Sequence, residues 1–305
     1  MPARPSWRKS PETAAGVRQV SGAPHGAAPL VSVIVPSLDG ERNGNLQRLL
    51  ADLAGQTLTD IELLVVQGVR PNGRARNVGA VRARGRYLVF IDDDVRLGHR
   101  DVLANLVHAL VDDPSLGLVG PSQLPPPDAS RFQRAVARQL PRMRFPVVDR
   151  TTDTDMVTHM CLAVAAQLWR QVGGEHDDLV RGTDPDLRER VRAAGRRVAV
   201  VPDSWAYHPP PASLPSLIRS AWCGGRGAAW VRRHHPELAF DVPEGPFVGR
   251  APVRRPAYRL ARLGARLLLA ALRGRFLLLV SDLAYAAGYA SLRLARNEPA
   301  PEQLA

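Results

Sequence analysis

The sequence predicts an α/β protein: a doubly wound, mainly parallel sheet flanked by helices, followed by a C-terminal helical extension. Short apolar runs rich in β-branched residues recur at 30–36, 61–66, 87–91, 116–119 and 198–201, the pattern of strands buried on both faces. Segments of helical spacing alternate with them at 45–53, 78–84, 102–111 and 185–194, and such alternation argues for parallel strands joined through helices. From Pro256 onward the chain is helical by pattern.

The elements follow in order. Residues 1–29 mix Pro, Ala, Gly, Ser and charge without periodicity and read as a disordered leader. Order begins with the strand at 30–36, stopped by Pro36. Leu46, Leu49, Leu50 and Leu53 then share one helix face. Pro125-Pro126-Pro127 marks 121–131 as a surface loop unable to continue a sheet interior. A strand and a helix fill 156–172, and Gly173-Gly174 breaks the chain before a run of acids. A helix opens at Pro185 and closes at Gly195 as its C-cap, and Pro202 stops the strand at 198–201. The expected domains are 30–250 as the α/β body and 251–305 as a basic amphipathic tail.

The 305 residues carry a net charge of +12, which suggests nucleic acid until its location is considered. Ten arginines and one acid, Asp282, lie between Arg250 and Arg296, so the remaining chain is nearly neutral. Basic residues interleaved with aromatics are few, which argues against nucleic-acid binding. Two cysteines, Cys161 and Cys223, make neither a disulfide framework nor a zinc site. The basic N-terminus is followed by no apolar signal-peptide core, and the expected location is cytoplasmic.

The chemistry centres on the strand Tyr87-Leu88-Val89-Phe90-Ile91, which runs into Asp92-Asp93-Asp94. In open α/β sheets ligands gather at the carboxyl ends of strands. Adjacent carboxylates repel, and a hard divalent cation such as Mg²⁺ or Mn²⁺ suits them because it prefers oxygen and bridges phosphates. Alternation along a strand lets Asp92 and Asp94 point together while Asp93 points elsewhere. A solvated acidic turn is the plainer alternative.

The motifs, in their order, resemble the family 2 glycosyltransferases of the GT-A fold. They are Val31-Ser32-Val33-Ile34-Val35-Pro36-Ser37, Ala75-Arg76-Asn77-Val78-Gly79, Asp92-Asp93-Asp94, Val172-Gly173-Gly174, Asp184-Pro185-Asp186-Leu187 with Arg190 and Gly195, and Val201-Pro202-Asp203 with Tyr207-His208. The resemblance implies an inverting, metal-dependent transfer of a sugar from a nucleotide-sugar donor to a hydroxyl of a glycan or lipid-linked acceptor. It implies that Pro36, Ser37, Asp39, Gln67, Arg76, Asn77, Asp92 and Asp93 bind the donor. Asp94, Asp92 and His208 would hold Mn²⁺ or Mg²⁺, and Asp184 would be the general base. Asp184 also suits the N-cap of the Pro185 helix, and His208 before three prolines also suits simple loop packing. Arg190 is expected to brace the acidic loop.

Three departures stand out. The family's acidic turn after the second strand is Gln67-Gly68-Val69-Arg70 here, its Glu-Asp pair is Thr183-Asp184, and its Phe-Asp-Glu after Gly-Gly is Glu175-His176-Asp177. They leave open a non-uridine donor, or a catalytically inactive nucleotide-sugar-binding or scaffold protein. In the tail, Arg259, Arg262, Arg266 and Arg273 fall on one helix face with leucines opposite. The apolar run at 276–292 contains Asp282, which disfavours a membrane span. An amphipathic stretch over 256–296 lying on the inner face of the plasma membrane is the expected arrangement, with packing against the body or a dimer partner as the alternative. The adjacent His234 and His235 diverge around a helix and read as a solvated basic turn.

Overall fold

The structure, a computed structural model, describes residues 16–21, 28–39, 44–241, 249 and 251–295. Most of the proposed leader, 1–15 and 22–27, lies outside the described residues. The chain divides into two compact units: Met1–Leu124, Phe145–Leu179 and Thr183–His208 form one, and Pro125–Arg144, Val180–Gly182 and Pro209–Ala305 form the other. The helical unit therefore begins well before residue 251 and takes in an excursion from the middle of the chain.

The first unit holds strands β1 (Val17–Ser21), β2 (Val31–Ser37), β3 (Ile61–Gln67), β4 (Tyr87–Ile91), β5 (Arg96–Leu97), β6 (Leu116–Leu124), β7 (Thr152–Asp153), β8 (Cys161–Ala165) and β9 (Arg197–Tyr207). They form one sheet in the order β1-β3-β2-β4-β8-β6-β9-β5, with β7 beside β9. Its helices are α1 (Asn45–Ala54), α2 (Asn72–Arg82), α3 (Val102–Asp112), α5 (Ala166–Val172) and α6 (Thr183–Ala193). Val31, Val33 and Val35 of β2 pack into one core with Leu46, Leu49 and Leu53 of α1 and Leu103 and Leu106 of α3. Ile34 projects from the opposite face onto α2, and a Cβ at Gly79 of that helix would lie 2.5 Å from Ile34 Cγ2. Helices thus cover both faces, as the alternation of elements demands.

The sheet is mixed: its longest ladders are parallel, and β8 runs antiparallel to both its neighbours. β2–β3, β2–β4 and β6–β9 are parallel. β1–β3, β4–β8, β6–β8, β5–β9 and β7–β9 are antiparallel. β8 is buried on both faces like its neighbours, so its apolar run looks the same in either direction. Prolines expected to end strands lie inside them. Pro36 is paired with Val66 in the β2–β3 ladder. Pro121 falls where the β6–β9 register shifts between Gly120 and Ser122, and Pro202 falls among the extra β9 residues of that irregularity. A bulge needs no ladder donor there, so proline is tolerated, and β6 runs on into the loop expected at 121–131. Asp203 supplies the turn with φ 49°.

The second unit contains α4 (Arg131–Gln139), α7 (Leu214–His234), α8 (Pro256–Leu272) and α9 (Phe276–Leu294). A capping box closes the front of α4 (Ser130 with Gln133) and of α7 (Ser213 with Ser216). α7 and α9 cross closely because glycines face backbone. A Cβ on Gly288 would lie 2.2 Å from Trp222 O, and one on Gly225 would lie 2.0 Å from Tyr285 O. By length and composition α9 could cross a membrane, the one such helix among the described residues. Its Asp282 pairs instead with Arg266 of α8, Nε to Oδ2 2.6 Å. His234 and His235 both lie against the Trp230 ring.

This packing yields a paired test. A Cβ added at Gly264 in α8 would meet nothing within 4 Å, so Gly264→Ala should stabilise by about 1 kcal/mol through helix propensity. Gly288→Ala should destabilise by roughly 1–3 kcal/mol by forcing α7 and α9 apart. Thermal melts of the two variants should move in opposite directions.

Candidate active site

The site grows from the end of β4. Asp92, Asp93 and Asp94 follow it in a turn, and each acid meets a different partner. Arg76 of α2 donates from Nη2 to Asp92 Oδ1 at 2.7 Å. The Ser37 hydroxyl at the end of β2 donates to Asp93 Oδ2 at 2.8 Å. His208, just past β9, places Nε2 3.6 Å from Asp94 Oδ1. The repulsion anticipated among the three acids is thus spread over a guanidinium, a hydroxyl and an imidazole. Asp93 is buried and inward, while Asp92 and Asp94 keep some exposure.

The antiparallel β4–β8 pairing brings in a residue that sequence reasoning misses. Ile91 is opposite Cys161, and one step further the Asp92 amide donates to Met160 O at 3.1 Å. The residue before Met160 is His159, which is buried beside the acidic turn. Its backbone N–H donates to Asp184 Oδ1 at 2.7 Å, and its ring Nδ1 lies 2.6 Å from the same oxygen. The other ring nitrogen, Nε2, contacts Glu175 Oε1. A lone histidine ahead of a strand carries no periodic signal. Only the strand direction could have revealed it.

Burial by itself would make each of these groups neutral, and their mutual attraction overcomes it. Desolvation and the nearby Arg76 charge disfavour the imidazolium, but Glu175 and Asp184 raise His159 to about 9. Burial raises the carboxyl of Asp184, but the His159 charge and hydrogen bonds, with Arg188 behind them, hold it well below the usual carboxylate range. Glu175 is lowered likewise, against its own desolvation, by His159, Arg76 and Arg190. At neutral pH the cluster is a cation between two anions.

The loop carrying Glu175 is held from two sides. The Asn77 amide donates to Glu175 O and to Asp177 Oδ1, both at 2.8 Å, and its carbonyl accepts from Glu175 N at 2.9 Å. Gly174, at φ 66°, meets Asn77 so closely that a Cβ would lie 2.7 Å from Oδ1. Arg190 of α6 donates from Nη1 to Val172 O and Gly174 O, both at 2.6 Å, and from Nε to Asp186 Oδ2 at 2.8 Å. Arg190 therefore braces the loop, as anticipated.

Asp184 lies within the first turn of α6, which starts at Thr183 instead of Pro185. Its carboxylate turns to His159 and not to the helix amides, so it does not serve as the N-cap. Both contacts use Oδ1, and 33% of the side chain stays exposed. A carboxylate held ionised with one oxygen engaged and a solvent-facing side can accept a proton from a ligand hydroxyl.

The remaining expected donor residues gather at the ends of β2 and β3. Gln67 donates from Nε2 to Asp39 O at 2.7 Å, next to Ser37. Pro36 lies one residue before Ser37, within β2. Asn77 and Asp93 are buried with side chains engaged inside the protein, which makes them supports of the site. Among the described residues no set of three or more His, Cys, Asp or Glu is arranged to hold a metal. Asp94 and His208 bring an oxygen and a nitrogen 3.6 Å apart there, and Asp92 is engaged by Arg76.

Residues 5–225 match glycosyltransferase-like family 2. The chain belongs to that family. It is a glycosyltransferase, and no curated protein matches it in sequence. Among solved structures, its fold is similar to that of the mannosyltransferase PcManGT from Pyrobaculum calidifontis, determined in complex with GDP-Man and Mn²⁺. The TM-score is 0.55 at 19% identity, covering 95% of this chain and 92% of that one. The family 2 glycosyltransferase described here thus shares the GT-A fold, with its acidic turn at the end of a central strand.

The charged cluster sets a pH dependence. His159 is raised from 6.5 to about 9 in the folded chain, so its stabilising contribution is complete below about pH 6.5 and is lost as pH rises through 9. Melting temperature measured from pH 7 to 10 should fall on the alkaline side, and the fall should be smaller in His159→Asn. That variant should also lose roughly 3 kcal/mol or more at pH 7, since Glu175 is left buried without its cation.

Proposed function

We propose that this glycosyltransferase moves a sugar from a nucleotide-sugar donor to a hydroxyl of a glycan or lipid-linked acceptor, with inversion at the anomeric carbon. The observation that carries the reading is Asp184, kept ionised by His159 with an exposed side, on the network that adjoins the acidic turn. The GDP-Man and Mn²⁺ held by the structural relative support a nucleotide-sugar donor and a divalent cation.

In this reading an acceptor hydroxyl approaches the open side of Asp184. The new bond forms between the acceptor oxygen and the anomeric carbon as the bond from that carbon to the diphosphate oxygen breaks. The diphosphate departs with the electron pair, and the hydroxyl proton passes to Asp184. His159 holds the carboxylate in place and keeps it ionised, so that it can take the proton as the new bond forms. Ser37, Asp39 and Gln67 border the donor side, with Arg76 fixing Asp92. Asp94 and His208 would hold Mn²⁺ or Mg²⁺, whose chemistry is to offset the charge of the departing diphosphate. The carboxylate oxygen of Asp94 suits either ion.

Contact of 256–296 with a membrane surface, and a peripheral place on the cytoplasmic face of the plasma membrane, complete the proposal. Its support is an apolar stripe on α8, where Leu260, Leu268 and Leu272 are 69%, 61% and 74% exposed.

Thermal unfolding with GDP, UDP, CDP and dTDP, each with Mn²⁺, Mg²⁺ or EDTA, should show a raised midpoint for one nucleotide that depends on metal. Asp184→Asn should keep that shift and lose transfer by about 10²-fold or more. A variant that transfers normally would remove Asp184 from the role of base.

A further inference from the structure

The helical unit contains a cleft of about 500 Å³ to which the transfer chemistry assigns no role. Arg138 of α4, Arg262 and Arg266 of α8, and Arg273 and Arg275 of the α8–α9 turn line it, and no acid does. Leu140, Ala270 and Leu278, all buried, form its floor as part of the unit's apolar core. The walls are tied together: Gln139 at the end of α4 accepts from the Leu277 amide of α9 at 2.9 Å through Oε1.

A neighbouring cleft shows what charge balance looks like here. It is lined by Arg259, Arg262 and Arg266 together with Asp241 and Asp282, and both acids are paired, Arg259 with Asp241 at 3.1 Å and Arg266 with Asp282 at 2.6 Å. In the first cleft Arg138, Arg273 and Arg275 meet no carboxylate among the described residues, and all three are exposed. Several guanidiniums converging on one space match a dense anion with several acceptor oxygens, above all a phosphate. The lining offers no aromatic ring to stack a base and no acid to take a ribose hydroxyl, which disfavours a nucleotide. Its apolar floor and the exposed Leu269, Leu272 and Phe276 suit an amphiphile.

We propose that this cleft binds the phosphate headgroup of a membrane lipid, with the lipid chains lying along exposed Leu269, Leu272 and Phe276. The inference deepens the membrane-contact reading and rests on it. The arginine stripe of α8 then acts as the wall of a headgroup site, and the leucine stripe as the part that meets the acyl region.

The test is binding of the full chain to phosphatidylcholine vesicles with and without phosphatidic acid, measured by flotation. We expect binding that requires phosphatidic acid, and an apparent Kd raised roughly tenfold or more in Arg138→Gln/Arg273→Gln. Arg219→Gln/Arg293→Gln removes the same charge from exposed positions outside the cleft and should change it far less. Equal weakening by the two pairs would overturn the cleft site while leaving membrane contact standing. Absence of vesicle binding by the wild type would overturn both. Competition by glycerol 3-phosphate at concentrations matching the lipid would also overturn it, by showing a free-phosphate site. Unchanged melting curves and nucleotide shifts establish that the variants are folded.

Discussion

Everything near the site depends on one buried cation lying between two carboxylates. Taking His159 and Glu175 out of water, and Asp184 in part, is costly for each alone, and their proximity makes the charged forms tolerable. The three come from separate places: the approach to β8, the loop after α5, and the first turn of α6. Their attraction therefore fixes that loop and that helix against the start of β8, in the middle of the sheet. Arg76 extends the arrangement, since it pairs with Asp92 and also opposes the charge on His159. Any change at one acid is felt by the cation that it shares with the next.

Burial also explains which parts of the fold could be read from the sequence. Strands β2, β3 and β4 and helices α1 and α3 are apolar on the faces that they bury, so periodicity located them to within a residue or two. α2 begins at Asn72, earlier than its apolar spacing suggests, because its first half buries Gly73, Ala75, Arg76 and Asn77. Those residues are held by specific bonds that hydrophobic periodicity does not register. β5 and β7 are two residues long and carry no pattern. β1 lies within the supposed leader because Val17 is only half-buried and Arg18 and Gln19 are exposed at the sheet edge, where the strand pairs with β3.

Strand direction is what apolar patterning does not carry. Strands buried on both faces look alike whether they run parallel or antiparallel, so the β8 sequence gives no sign that it opposes β4 and β6. In the antiparallel register the residues before Cys161 lie beside those after Ile91, which is what brings His159 to the acidic turn. The acidic turn, Asp184 and Arg190 were legible because a motif names them one at a time. His159 belongs to no motif and is defined only by its neighbours across the sheet.

The helical unit shows the same distinction in its surface charges. Spacing places Arg259, Arg262, Arg266 and Arg273 on one face of α8, yet it does not say what that face meets. In the fold Asp282 of α9 and Asp241, on the segment after α7, each neutralise one guanidinium of the stripe. The leucines of the opposite stripe are left outward, at exposures that a water-facing helix seldom shows on one side. An arginine already paired adds little to attraction for an anion, because its field is cancelled close by. The unbalanced end of the stripe, at the turn between α8 and α9, is accordingly where charge remains available for a ligand.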